Sequence, residues 1–316
     1  MTINASRRRL GRTGIDVFPL NLGGNVFGWS ADRDATFAVL DAYREAGGNF
    51  IDTADVYNKW VPGHVGGESE SLIGAWLASR RCRDEMVIAT KVGMGGPGLT
   101  AGLSGDHVAR GAEASLARLG VDHLDLFYAH RDDPGTPLEE TLRAFDALVR
   151  AGKVRAIGAS NYTAARLQQA LDHSSANGLA TFAVVQPEYN LVSRGTLEGE
   201  LAAVCTANGL AVCTYFALAS GFLTGKYSAG GTATGARASG VQKFLADPVA
   251  VARLESLRAV AAKHSATPAQ VALAWQLHQP FVTTPIASAT SPAQVRELVA
   301  SVQLRLNSDD LARLDG

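Results

Sequence analysis

Short apolar runs alternate with amphipathic stretches along most of the chain. The runs are "LNLGG" (20–24), "NFIDT" (49–53), "MVIATKV" (86–92), "HLDLFYAH" (123–130), "VRAIGAS" (154–160), "FAVVQ" (182–186), "LAVCTYF" (210–216) and "FVTTPIA" (281–287). Each has the length and apolar character of a buried strand. The stretches between them repeat apolar residues at helical spacing. In "DATFAVLDAYREAG", Phe37, Leu40 and Tyr43/Arg44 fall at i, i+3 and about i+7, and Gly47 ends the pattern. "DHVARGAEASLARLG" opens on Asp106 as a cap and stops at Gly120. "TPLEETLRAFDALVRAGK" offers Thr136 as cap, Pro137 in the first turn and Gly152 after the end. "TAARLQQALDHS", "TLEGELAAVCTANG", "DPVAVARLESLRAVAAKHS", "TPAQVALAWQLHQ" and "SPAQVRELVASV" continue the series. Ahead of the first run, "RRRL" and "DVFP" flank "GRTG", which predicts a hairpin.

Eight buried strands separated by helices predict a parallel sheet. At 316 residues a closed (β/α)8 TIM barrel is the economical form. It would be a single α/β domain over residues 1–316, with the hairpin as an N-terminal cap and extra C-terminal helices. The rival is an open doubly wound sheet, weakened because no GxGxxG follows the first strand. Two glycine-rich stretches, 91–105 and 228–240, are expected to be flexible surface segments.

Composition narrows the functional classes. The chain is 47% hydrophobic and 19% charged, with a formal net charge of −1. That suits a large core and gives no reason to expect a nucleic acid partner. Three cysteines without a CxxC argue against a disulfide framework and a metal site. No signal-like segment and no run of membrane-spanning length is visible, so the expectation is a cytoplasmic protein without membrane contact. Six lysines stand beside twenty-three arginines, so a lysine inside an apolar strand stands out.

In a (β/α)8 barrel, chemistry gathers at the C-terminal strand ends. Those ends carry Asp52, Lys91, His130, Ser160, Asn161, Gln186 and Tyr215, and Tyr57 follows the second strand. Taken singly, most have plain readings. Asp52 suits a turn cap, Tyr57 a rim aromatic, and Ser160, Asn161 and Gln186 loop caps. Lys91 resists one, because a lysine within an apolar strand costs several kcal/mol unless paired. His64, His107, His173, His264 and His278 read as surface or packing residues, and His123 lies at the far end of the strand that delivers His130. Asp125, inside that strand, reads as a structural hydrogen-bond acceptor.

Asp52, Tyr57, Lys91 and His130 together make chemical sense. A free phenol with a pKa near 10 is a poor acid at neutral pH. A buried ammonium beside it favours the phenolate and so lowers that pKa. A carboxylate keeps the ammonium charged, and a histidine can orient a carbonyl oxygen. The set suits protonating that oxygen as hydride reaches its carbon.

At these residues the sequence resembles the aldo-keto reductase superfamily. The likeness lies in "FIDTADVYN", "VIATKVG", "LDLFYAHRDDPGTPLEETLRAFDALVRAGKVRAIGASNY", "VVQPEYNLVSR" and "YFALASGFLTGKY", with a weaker tail at 285–298. The resemblance implies a barrel that binds NADP(H) without a Rossmann domain and reduces aldehydes and ketones, small-molecule carbonyl substrates. It implies Tyr57 as general acid, Lys91 and Asp52 as its tuning pair and His130 as orienting donor. It further implies Ser160, Asn161 and Gln186 on the nicotinamide carboxamide and Tyr215 stacked under the ring. The pyrophosphate would rest on the loop containing Leu218, Ser220 and Gly221. Lys226 and, more weakly, Arg237 read equally as phosphate partners or as solvated charges.

Two departures matter. "YFAL" replaces the usual Tyr-Ser-Pro-Leu, and the tail "ASATSPAQVREL" has Thr290 where an arginine often binds the 2′-phosphate. It has Leu298 where an asparagine often holds adenine, while Ser288 and Gln294 remain plausible contacts. NADP(H) leads as the expected cofactor, with NAD(H) or dual use open. Val26, Phe27, Trp29, Tyr57, Trp60, Arg131 and Asp132 are candidates to line the substrate pocket. Arg131 and Asp132 read either as a polar substrate site or as members of a rim salt bridge. The alternatives are a cofactor-bound regulatory subunit and a dehydratase or lyase on the same scaffold.

Overall fold

The computed structural model describes residues 5–95, 101–227, 231–232 and 238–316. Two antiparallel strands come first, β1 (Arg8–Arg9) and β2 (Asp16–Val17). Eight parallel strands then close into a barrel. These are β3 (Asn21–Gly23), β4 (Phe50–Asp52), β5 (Val87–Val92), β6 (Leu124–Ala129), β7 (Val154–Ser160), β8 (Val184–Gln186), β9 (Ala211–Thr214) and β10 (Thr284–Ala287). β10 returns to pair with β3, Ile286 opposite Asn21. Every one of the eight apolar runs supplies one barrel strand. Around them lie α1 (Arg33–Glu45), α2 (Glu68–Arg80), α3 (Gly105–Leu119), α4 (Leu138–Arg150), α5 (Ala164–Asn177) and α6 (Glu200–Ala207). The chain continues with α7 (Ala238–Leu245), α8 (Pro248–Lys263), α9 (Pro268–His278), α10 (Pro292–Ala300) and α11 (Ser308–Asp315). No helix among the described residues is long and apolar enough to cross a membrane.

The hairpin plugs one end of the barrel. Leu10, Ile15 and Val17 join Phe50, Val87 and Val184 in the interior cluster. Arg8 donates to the carbonyls of Leu277, Val282 and Thr283 at 2.9–3.1 Å. Gly11 turns the hairpin at φ +58°, and a Cβ there would lie 2.6 Å from the Ala183 carbonyl oxygen. Only glycine meets both demands.

Strand alternation decides which side chains reach the open end. Residues two apart share a face. Val87 and Ala89 point into the barrel, so Lys91 does too; Phe50 sets Asp52 in the same way. Leu126 and Tyr128 lead to His130, Val184 to Gln186, and Ala211 and Cys213 to Tyr215. The other parity, including Ile51, Ile88, Val92, Phe127 and Val212, packs against the helices.

Several local expectations need correction. Asp106 does not cap α3. Ser104 holds the cap position, and Asp106 sits in the first turn, paired with Arg110 at 3.0 Å. Thr136 does not cap α4 either. Its hydroxyl donates to Asp133 at 2.6 Å, and Pro137 holds the cap position. Asp133 also accepts from Leu103 N at 2.8 Å, so this part of the glycine-rich stretch 91–105 is pinned, with Leu103 buried. Residues 238–240 of the second stretch begin α7. Residues 96–100, 228–230 and 233–237, including Arg237, lie outside the described residues. Asp125 is the structural acceptor anticipated, taking the Ile88 N–H at 2.9 Å and pairing with Arg83 and Arg155 at 2.9 and 2.6 Å.

Candidate active site

Lys91 is fully buried, and its ammonium has three acceptors for its three protons. It donates to Asp52 Oδ2 at 2.6 Å, to the Thr53 carbonyl at 2.7 Å and to Tyr57 Oη at 2.9 Å. Tyr57 Oη in turn donates to Asp52 Oδ2 at 3.2 Å. Three residues from β4, β5 and the loop after β4 therefore share one hydrogen-bonded cluster. A buried charge is tolerated only with such complete pairing.

Burial shapes the protonation states. It pushes the Lys91 pKa down, against the Asp52 charge that pushes it up. Burial, then the Asp52 carboxylate, hold the Tyr57 phenol well above the usual tyrosine range. The sequence reading expected the ammonium to bring that pKa down, but desolvation and Asp52 outweigh it in this structure. Tyr57 thus keeps its proton at neutral pH. Burial and the Lys91 charge hold His130 well below the usual imidazole range, so it is neutral there. Its ring centroid lies 6.3 Å from that of Tyr57, and its Nδ1 is buried without a hydrogen-bond partner.

The next four sequence candidates form a connected ring beside this cluster. Ser160 Oγ donates to the Gln186 carbonyl at 2.8 Å. Asn161, in the left-handed region at φ 57°, donates to the His130 carbonyl at 3.0 Å and to Ser160 Oγ at 3.1 Å. Tyr215 Oη donates to Asn161 Oδ1 at 2.7 Å. Gln186 Nε2 donates to Asp52 Oδ1 at 2.8 Å, which joins the ring to the Lys91 cluster. Sequence reasoning missed that link because the partners are 134 positions apart.

Asp52, Tyr57, His130 and these four residues line a cavity of about 880 Å³ at the C-terminal barrel end, with Lys91 buried behind them. Its length carries Leu218, Ser220, Gly221 and Lys226 from the segment after β9, then Ser288 and Thr290 from the loop between β10 and α10, and Gln294 from α10. Phe216, Ala219, Ser220 and Gly221 all have positive φ, between 48° and 99°, which makes a concave stretch of backbone. Thr290 N and Oγ1 donate to Gln294 Oε1 at 2.8 and 3.2 Å, and Ser288 Oγ donates to Asn25 Oδ1 at 2.7 Å. Asn25, Glu297 and Met94 line the same space and carried no distinguishing signal in the sequence.

Of the substrate-pocket candidates, Val26, Trp29, Tyr57 and Trp60 line the cavity. Phe27 is fully buried in the core. Asp132 turns away to pair with Arg166 at 2.9 Å, and Arg131 is not in the lining. For Asp132 the polar-substrate reading therefore gives way to a salt bridge, made with Arg166. Trp29 meets Trp60 edge-on at 5.6 Å, and Trp60 meets Tyr57 at 6.2 Å. Trp60, Phe216 and Met94 are 50%, 49% and 40% exposed at the mouth.

The family model of the aldo/keto reductase family matches residues 19–316. A probable voltage-gated potassium channel subunit beta of Arabidopsis thaliana is 33% identical, with 94% of this chain and 91% of the relative covered. The uncharacterized oxidoreductase YrpG of Bacillus subtilis is 35% identical, covering 97% and 94%. An NADH-specific methylglyoxal reductase of Escherichia coli is 32% identical, covering 95% and 94%. The chain belongs to the aldo/keto reductase family and is an NAD(P)H-dependent oxidoreductase, of a family that acts on small-molecule carbonyl compounds.

Proposed function

We propose that the protein reduces uncharged aromatic and bulky apolar aldehydes and ketones to alcohols, with Tyr57 as proton donor. The observation that carries this is the Tyr57 hydroxyl, 2.9 Å from the Lys91 ammonium at the floor of the cavity. A bound NADH or NADPH supplies the hydride. The protein supplies position and protons. Tyr57 gives its proton to the carbonyl oxygen, and the ammonium stabilises the phenolate left behind. Asp52 fixes Lys91, and the neutral imidazole of His130 offers its N–H to the same oxygen. Asp52, Tyr57, Lys91 and His130 are thus the catalytic set.

The residues present fit a nicotinamide dinucleotide. Ser160, Asn161 and Gln186 offer amide and hydroxyl groups for the carboxamide, and Tyr215 a ring for stacking. Leu218, Ser220, Gly221 and Lys226 suit the pyrophosphate. Ser288, Thr290 and Gln294 suit the adenosine end. Gly23 keeps that cavity open, since a Cβ there would come within 2.6 Å of Ser288 Oγ. Three unpaired, buried cysteines suit a reducing compartment, in keeping with a cytoplasmic location.

Lys226 is the one cation among the described lining residues, and no arginine stands there to grip a 2′-phosphate. We therefore expect dual cofactor use. Fluorescence titration should give dissociation constants for NADH and NADPH within about tenfold, about 1.4 kcal/mol. A hundredfold preference for NADPH would contradict this. Loss of absorbance at the reduced-cofactor band, followed with a panel of carbonyls, tests the activity. Product formed without cofactor consumption would favour a dehydratase or lyase, and no turnover at all a regulatory subunit.

The substrate class rests on Trp29, Trp60, Met94 and Phe216 around the mouth, with no charged side chain among them. An aromatic contact contributes about 0.5–1.5 kcal/mol beyond its buried area. Trp60→Ala should raise KM for an aryl aldehyde about tenfold and leave kcat within about threefold. Equal KM values in variant and wild type would remove Trp60 from the substrate site.

A further inference from the structure

The loop that delivers Tyr57 holds a second carboxyl group that the mechanism above does not use. Asp55 is 1% exposed, and both of its side-chain oxygens are buried without a hydrogen-bond partner. Its backbone N–H donates to the Lys91 carbonyl at 3.3 Å, so it is anchored to the strand that carries the ammonium. A buried carboxyl without donors is costly as an anion. A fold that needed only packing there would be served by an apolar residue of similar size.

We propose that Asp55 is a positioning residue: as a carboxylate sealed beneath the site, it holds the protons on Lys91 and Tyr57 when conditions turn alkaline. The inference rests on Tyr57 as the acid. The groups that face Asp55 are few. Lys91 comes from β5 and Tyr57 from its own loop. Glu70 comes from α2 and Arg118 from α3, joined to each other at 2.6 Å, while Glu70 also accepts from Thr90 Oγ1 at 2.6 Å. Arg118 is thus committed to Glu70 and Lys91 to Asp52, and neither bonds to Asp55, which both influence only through their charge.

The charges act in a defined sequence. Burial, then the Glu70 charge, push the Asp55 carboxyl up to about 7, against Arg118, the adjacent Val56 N–H and, last, Lys91. Below that pH Asp55 is neutral and adds nothing to the field. Above it Asp55 is an anion, and its charge raises the pKa of both Tyr57 and Lys91. Both groups must be protonated for carbonyl reduction. The acid-competent form therefore persists to higher pH than Asp52 alone would allow.

The test is the pH profile of kcat/KM for reduction of an aryl aldehyde, compared between wild type and Asp55→Asn. The variant's alkaline limb should move down by about one pH unit, which is about a tenfold loss on that limb. The two profiles should converge on the acid side, where a carboxylic acid and a carboxamide carry the same charge. Parallel profiles, lowered equally at every pH, would show a merely structural role and overturn the proposal. If Asp55→Asn does not fold, wild-type protein with isotope-labelled aspartate serves instead. An infrared band of an un-ionised aspartic acid that disappears through neutral pH supports the proposal, and its absence at pH about 6 overturns it. An active Tyr57→Phe would remove the premise; an inactive Tyr57→Phe with parallel Asp55→Asn profiles would remove only this inference.

Discussion

Tyr57→Phe lowers kcat for carbonyl reduction by about 10²–10⁴-fold, the usual worth of a positioned general acid. The substitution removes one oxygen. Lys91 keeps Asp52 and the Thr53 carbonyl, at 2.6 and 2.7 Å, so the buried ammonium still has two of its acceptors. The ring keeps its edge-on contact with Trp60 at 6.2 Å. Cofactor affinity should therefore hold within about twofold, because none of the dinucleotide contacts proposed above uses the phenol. Steady-state rates and a fluorescence titration on the same preparation check both halves. A variant with wild-type kcat would exclude Tyr57 as the acid.

Lys91→Met is expected to damage both chemistry and folding. The Asp52 carboxylate is buried, and its other donors are Gln186 Nε2 at 2.8 Å and the Tyr57 hydroxyl at 3.2 Å. Removing one member of a buried pair costs about 3–5 kcal/mol, against a typical total stability of about 5–15 kcal/mol. Thermal unfolding should therefore show a lower midpoint for the variant than for the wild type. Activity should fall at least about a hundredfold, since the phenolate loses its counter-charge. An unchanged pH profile with an unchanged midpoint would contradict the assigned role of Lys91.

The barrel was legible in the sequence because each strand is buried on both faces. Such strands read as continuous apolar runs, and "MVIATKV" stands out by the single lysine within it. Alternation within those runs then fixes that Lys91, Asp52 and Gln186 share the interior face with Val87, Phe50 and Val184. α2 escaped detection for an equally physical reason. Ser69 and Glu70 are buried as polar residues, and Gly74 lies where a Cβ would meet the Arg118 and Leu119 carbonyls at 2.6 Å. Small and polar groups therefore share its packing face with Ile73, Trp76 and Leu77, which dilutes the apolar stripe. The cap errors at Thr136 and Asp106 arose because Asp133 and Arg110 offer those side chains better partners than the helix N-termini do. In the candidate site, residue types and strand ends could be read, but partners could not. Nothing local in the sequence announces that Gln186 bonds to Asp52, that Asp132 leaves the mouth for Arg166, or that Asp55 is sealed off without a donor.

The claim that one mouth holds both the reductant and the phenolic acid is tested most directly by a single turnover with deuterium-labelled reduced cofactor and an aryl aldehyde. Mass spectrometry of the alcohol should show one deuterium on the carbinol carbon from the wild-type protein. It should show almost none from Tyr57→Phe loaded with the same amount of bound cofactor. Equal labelling from the two proteins, or unlabelled product from the wild type, would contradict it.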